Sequence, residues 1–261
     1  MNRITQAISR IIVSTLLILI ATPVTNAHAE LAYEGSHFHD DEDDHSNELQ
    51  SEEEVLAHQA LIDAEFPDQN LPVTLSSLEE DEILGSYGKL DPKGLIPKDL
   101  LATTLKYFES NRAKFNNQRY ITIVDFAKHS ARSRLFILDL NSGAVSVYHT
   151  THGVGSDPKD TGVAQTFGNI VNSGMSSIGF FRTGETYHGN YGYSIRIDGL
   201  SRTNSRVRER AVVFHGWKKA KEKNVKQERS HGCFAFDFAV RDAIINKIKG
   251  GSLIYANVSG R

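Results

Sequence analysis

Three observations predict a mainly β fold with a few helices for this chain of 261 residues. From residue 119 onward, short runs rich in Val, Ile, Thr, Phe and Tyr alternate with stretches dense in Gly, Ser and Asn, the pattern of strands and turns. Apolar residues fall at helical spacing in only a few places, before Pro67, over 97–115 and over 237–249. The single cysteine, Cys233, cannot staple the fold, so a packed core must hold it together.

The chain begins with Arg3 and Arg10 and no acid in its first ten residues, followed by an apolar run over 11–21, then Pro23 and Ala27-His28-Ala29. This predicts a secretory signal peptide over 1–29, cut after Ala29. The run falls short of the roughly 18 apolar residues a spanning helix needs. Membrane contact is therefore expected only through the cleaved signal, with the mature protein exported to the periplasm or cell envelope. Loss of the two leader arginines takes the formal charge from −3 to −5. So mild an acidity speaks against nucleic acid as a partner, which usually demands a basic face. A monomer is expected.

Residues 30–54 are acidic and His-rich, with His37, His39, His45 and the run Asp40 to Asp44, and offer few apolar groups to offset the entropy of ordering. A flexible, solvated segment is the expectation there. Residues 55–96 read as a helical and irregular N-terminal extension, and 97–261 as the main β-rich domain. Ser51 and Glu54 have the spacing of a capping box and start a helix that Pro67 ends. A polar connection then runs past Pro72 and Pro92. A second helix follows over 97–115, with Leu100, Leu101, Leu105 and Phe108 on its apolar face.

Strands are predicted over 120–126 and 135–140, and Asn141-Ser142-Gly143 turns the second of these into a third over 144–150. Further strands are expected over 177–182, 193–197 and 211–214. A helix over 237–249, capped by Gly250 and Gly251, leads to a last strand over 253–258. The sheet is expected to be mostly antiparallel.

An exported protein that keeps one unpaired cysteine usually keeps it for reactivity, although a free cysteine also serves as a small buried hydrophobe. Cys233 lies in Ser230-His231-Gly232-Cys233, and His215-Gly216 ends the apolar run eighteen residues earlier. A thiol needs a base to become a nucleophile, and a histidine at a strand end supplies one. Gly216 and Gly232 allow backbone shapes other residues resist. N–H groups near Gly232 and Cys233 are candidate oxyanion donors. Arg182, Tyr187, Arg196 and Arg229 are candidates to meet substrate carboxylates, with surface charge and strand packing as the alternative. His231 is a candidate to shape the nucleophile loop. Zinc ligation by His215, His231 and Asp237 is disfavoured because no H-E-x-x-H helix is present. Neither a metal nor another cofactor is expected.

The spaced His-Gly and Ser-His-Gly-Cys pattern resembles the signature of the L,D-transpeptidase catalytic domain, the YkuD-like family of bacterial cell-wall enzymes. The runs 151–156, 177–187 and 191–200 are similar to its murein L,D-transpeptidase branch, and the resemblance extends over about 97–258. It implies a β-sandwich or barrel with the cysteine on a loop after the His-bearing strand. It also implies a thioester formed by Cys233 on the third residue, meso-diaminopimelate, of a peptidoglycan tetrapeptide stem. His215 then moves the proton, oriented by a backbone carbonyl, and the products are 3→3 cross-links, attachment of other amines, or L,D-carboxypeptidase hydrolysis. Many members place a small apolar residue and then an arginine after the cysteine, whereas Phe234-Ala235-Phe236 follows here. A non-catalytic wall-binding module with a buried, inert Cys233 is the rival reading.

Overall fold

The described residues form one eight-stranded sheet, in the order Val145–Tyr148, Leu135–Asp139, Tyr120–Asp125, Leu253–Asn257, Gly179–Gly189, Gly192–Gly199, Val213–Gly216, Phe234–Phe236. In this computed structural model, residues 50–68 and 75–260 are described. The signal peptide and nearly all of the acidic segment expected from the sequence lie outside them.

Among the described residues, three α-helices precede the sheet. Helix α1 (Glu52–Glu65) opens on the expected capping box, in which Ser51 accepts from the Glu54 N–H and the Glu54 carboxylate accepts from the Ser51 N–H. Helix α2 (Ser77–Ser86) carries the same device on Ser76 and Glu79, within the stretch read as a polar connection. Helix α3 (Lys98–Asn111) buries the apolar face expected of it: Leu100, Leu101, Leu105 and Phe108.

Strands β1 (Tyr120–Asp125), β2 (Leu135–Asp139) and β3 (Val145–Tyr148) form the expected meander. Strand β4 (Gly179–Gly189) runs well past its predicted end, because a bulge between Thr183 and Thr186 absorbs Gly184 instead of breaking the strand. Strands β5 (Gly192–Gly199), β6 (Val213–Gly216) and β7 (Phe234–Phe236) follow, then α4 (Phe238–Ile248) and β8 (Leu253–Asn257). Most pairings are antiparallel as expected, but β1 with β8 and β6 with β7 are parallel.

Both faces of the sheet are covered, so consecutive strand residues are buried on opposite sides. Ile121, Ile123, Phe136, Leu138, Phe180, Leu253 and Tyr255 pack with α1 and α3. Val124, Leu135, Ile137, Phe181, Phe214, Phe234 and Ile254 pack with α4. The chain leaving β3 crosses to the far end of the strand order. There Thr151 N–H donates to Ala235 O at 3.0 Å, and Ser230 N–H donates to His152 O at 2.9 Å. These bonds join the two ends of the order and give the sheet its barrel-like form.

Candidate active site

The parallel pairing of β6 and β7 brings the His-Gly and Ser-His-Gly-Cys segments together. In that register Phe214 faces Phe234 and His215 faces Ala235. Phe214 and Phe234 stack in the core, their ring centroids 4.6 Å apart, so His215 and Ala235 are on the other side of the sheet. Cys233 immediately precedes β7, so it adjoins the Phe234 that pairs with Phe214, the neighbour of His215.

His215 is 4 % exposed and Cys233 7 %. Both are mostly withdrawn from water, where electrostatic interactions are stronger. His215 Nδ1 is 3.0 Å from Gly216 O. A carbonyl only accepts, so Nδ1 carries the hydrogen and Nε2 of the neutral ring keeps its basic lone pair. The Tyr191 ring rests against the imidazole with centroids 4.1 Å apart and fixes its plane. Gly216 itself leaves room for a neighbour, because a Cβ there would stand 2.5 Å from the Phe238 ring.

The segment before Cys233 is held by Ser230. Its hydroxyl donates to Cys233 O at 2.8 Å and accepts from Gly232 N–H at 3.2 Å. The Gly232 N–H, a candidate oxyanion donor by sequence, is thus engaged with Ser230. Gly232 has φ of +117°, and a Cβ there would meet Met175 O at 2.6 Å, so the loop requires glycine twice over. His231 is exposed. The Cys233 thiol donates to Ala211 O at 3.6 Å. Ala211 belongs to the turn before β6, with φ of +50°, and β6 starts two residues later than the sequence suggested.

The four candidate substrate contacts divide into two pairs. Tyr187 is opposite Ser194, and Ser194 is opposite His215, so Tyr187, Ser194, His215 and Ala235 form one row across four strands. Arg196 extends that face, its guanidinium 4.4 Å from the centre of the Tyr187 ring and its Nε 3.2 Å from Glu185. The other two are committed elsewhere. Arg182 pairs with Glu65 of α1 at 2.7 Å and lies over the Phe66 ring. Arg229 donates to Asp157 O at 2.6 Å and pairs with Asp160 at 3.2 Å. Asp237, considered beside the histidines for zinc, caps α4 through the Ala239 N–H and also accepts from the Glu222 N–H.

The charge-rich segment between His215 and Cys233 is fastened down. Lys226 pairs with Asp160, Gln227 N–H donates to Ser130, and Glu222 holds His149 at 2.9 Å. Beneath it lies a buried network. Arg134 donates to Thr150 O and to His152 Nδ1 at 2.8 Å each, and His152 Nε2 faces Asp157 at 3.3 Å. Burial and then the Arg134 charge push His152 down to about 4, so the ring is neutral near pH 7.

Residues 93–257, well over half of the chain, match the family described as the L,D-transpeptidase catalytic domain. A search of curated proteins finds no match. Among solved structures, the chain is similar to an L,D-transpeptidase from Mycobacterium smegmatis at 12 % identity and a TM-score of 0.34, over 54 % of this chain and 59 % of that one. The chain thus spans little more than half the length of that protein. It is also similar to L,D-transpeptidases from Stackebrandtia nassauensis, at 11 % identity and a TM-score of 0.33, and from Xylanimonas cellulosilytica, at 14 % and 0.32. Each of these two comparisons covers 78 % of this chain and 93 % of the other. On the extent of the family match, this chain belongs to the L,D-transpeptidase catalytic domain family.

Proposed function

We propose that the protein is an exported cysteine acyltransferase that forms a thioester on the third residue of peptidoglycan tetrapeptide stems and passes it to an amine. Cys233 is the nucleophile and His215 the proton carrier. The observation that supports this most is the parallel register of β6 and β7, which pairs Phe214 with Phe234 and so makes the segments of His215 and Cys233 neighbours, with His215 Nδ1 at 3.0 Å from Gly216 O. Cys233 Sγ gives its proton to His215 Nε2 and attacks the stem carbonyl carbon, whose electron pair moves onto oxygen. Collapse of the tetrahedral adduct breaks the bond to the terminal D-alanine, whose nitrogen takes the proton from His215. An amine of a second stem then displaces the thiol and forms a 3→3 cross-link, while water in its place gives carboxypeptidase activity. The row holding Tyr187 and Arg196 is the surface for the donor stem, with the guanidinium suited to a carboxylate.

Incubation with tetrapeptide muropeptides and mass spectrometry of the products tests the reading. Wild type is expected to release D-alanine and accumulate tetra-tri dimers, and Cys233→Ala to do neither. No release by wild type, or equal release by Cys233→Ala, overturns it. Export with cleavage after Ala29 is part of the proposal, and N-terminal sequencing of the secreted protein is expected to begin at Glu30.

A further inference from the structure

A cation beside the thiol would favour its ionised form. The residue after Cys233 is Phe234, buried in the core among Phe126, Phe181 and Phe214. The turn before β6 does bring one. Arg210 is partly buried, and its guanidinium donates to Gly168 O at 2.8 Å, to Ser177 Oγ and to Met175 O. All three partners are neutral. Its neighbours in the same turn are paired differently: Arg206 with Glu209, and Arg208 with Asp198 and Glu185. A desolvated guanidinium ordinarily takes a carboxylate, and the anion within reach of Arg210 is the ionised Cys233.

Two further observations fix this placement. A Cβ on Gly232 would stand 3.3 Å from Arg210 Nη2, so the guanidinium packs on the backbone immediately before the cysteine. The next residue, Ala211, presents the carbonyl that accepts from the Cys233 thiol, and its φ of +50° is one that few non-glycine residues adopt. One turn therefore supplies an acceptor for the protonated thiol and a cation for its ionised form.

We propose that Arg210 is a positioning residue for the acyl transfer, whose charge holds the Cys233 sulfur as thiolate once its proton has left. This rests on the function proposed above. Burial lowers the Arg210 pKa, and the Cys233 charge works against that shift, as expected of two groups that stabilise each other's ionised forms. The other groups to weigh are His215 from β6, His231 in the cysteine's own loop, and Arg206, which bears on Arg210 and is neutralised by Glu209.

The test is the pH dependence of iodoacetamide alkylation of Cys233, followed by intact mass, in wild type, Arg210→Lys and Arg210→Gln. Glutamine keeps an N–H donor for Met175 O and loses the charge, and lysine keeps both the charge and N–H donors while losing the planar guanidinium fork. In Arg210→Gln the thiol is expected to titrate about one pH unit higher, an alkylation rate about tenfold lower on the acid side with a similar alkaline plateau. Arg210→Lys is expected to titrate as wild type does. A Gln variant that titrates as wild type does, or Lys and Gln variants raised alike, overturns the proposal. Should Arg210→Gln fail to fold by circular dichroism, Arg210→Lys decides: an unmoved titration supports the charge role and a raised one refutes it. Tetrapeptide turnover is measured on the same proteins. A wild type that releases no D-alanine refutes the acyl transfer and with it the proposed role. Wild-type turnover with an unmoved thiol titration in Arg210→Gln refutes the role of Arg210 alone.

Discussion

In the proposed reaction a single bond at His215 sets the tautomer. With Nδ1–H given to Gly216 O at 3.0 Å, the ring offers one basic nitrogen, and no carboxylate is needed to set the tautomer. His215→Gln is expected to lower D-alanine release by about 10²- to 10⁴-fold, the usual worth of general acid-base catalysis. A variant retaining more than a tenth of wild-type release contradicts the assignment. Ser230 works one step further out, bonded to both Gly232 N and Cys233 O. Ser230→Ala strands two buried polar groups and is expected to cost about 1–3 kcal/mol in urea denaturation; an unchanged midpoint would show that water replaces the hydroxyl. His215 and Cys233 were recognisable in the sequence as candidates because the proposed chemistry needs those residue types. Arg210 and Ala211 were not. A charge-rich turn reads as solvated surface, and nothing in the sequence marks an alanine with positive φ.

Among the elements, β7 and α2 escaped the sequence reading for opposite reasons. Three residues are too few to show a period, and β7 exists because β6 and Thr151 hold it on either side. Helix α2 has a clear capping box but buries no side chain, so its apolar periodicity is faint. Helix α1 was predicted, but where it docks was not. Ile62 and Phe66 enter the core that α3 also fills, and His58 Nε2 is 2.9 Å from Asp198, which also pairs with Arg208 at 2.7 Å. Arg182, assigned to substrate by residue type alone, completes that dock through Glu65. Burial pushes the Asp198 carboxyl up, but His58 and Arg208 outweigh it and hold the group below its ordinary value. Its stabilising contribution is therefore present above pH about 4 and lost as pH falls through the depressed pKa. Asp198→Asn, which leaves the buried Arg208 short of one partner, is expected to cost about 3 kcal/mol at neutral pH. Loss of less than a third of that in denaturant titration would mean Glu185 suffices.

Over the whole molecule, the sheet's two ends meet through residues 150–153, and the Arg134, His152 and Asp157 network secures that junction from within. His152 is held near 4, against about 6.5 for an ordinary histidine, so the unfolded chain binds the extra proton first. Stability is expected to be full above pH about 6.5 and to fall by about 3 kcal/mol as the pH drops toward 4. His152→Gln should flatten that part of the pH profile; an equally steep profile in the variant would assign the effect to other groups. The mainly β class and the meander were legible in sequence, and Cys233 and His215 stood out there as candidates, because patterning and residue chemistry are local properties. The parallel β6–β7 register that unites them, and the closure beside it, depend on contacts between distant segments. Intact mass and peptide mapping of the protein, quenched in acid during turnover of a tetrapeptide stem, read the proposed thioester on Cys233 itself. The account predicts a tripeptide acyl adduct on the peptide containing Cys233, absent in Cys233→Ala. D-alanine release with no adduct on Cys233, or with the adduct elsewhere, would contradict it.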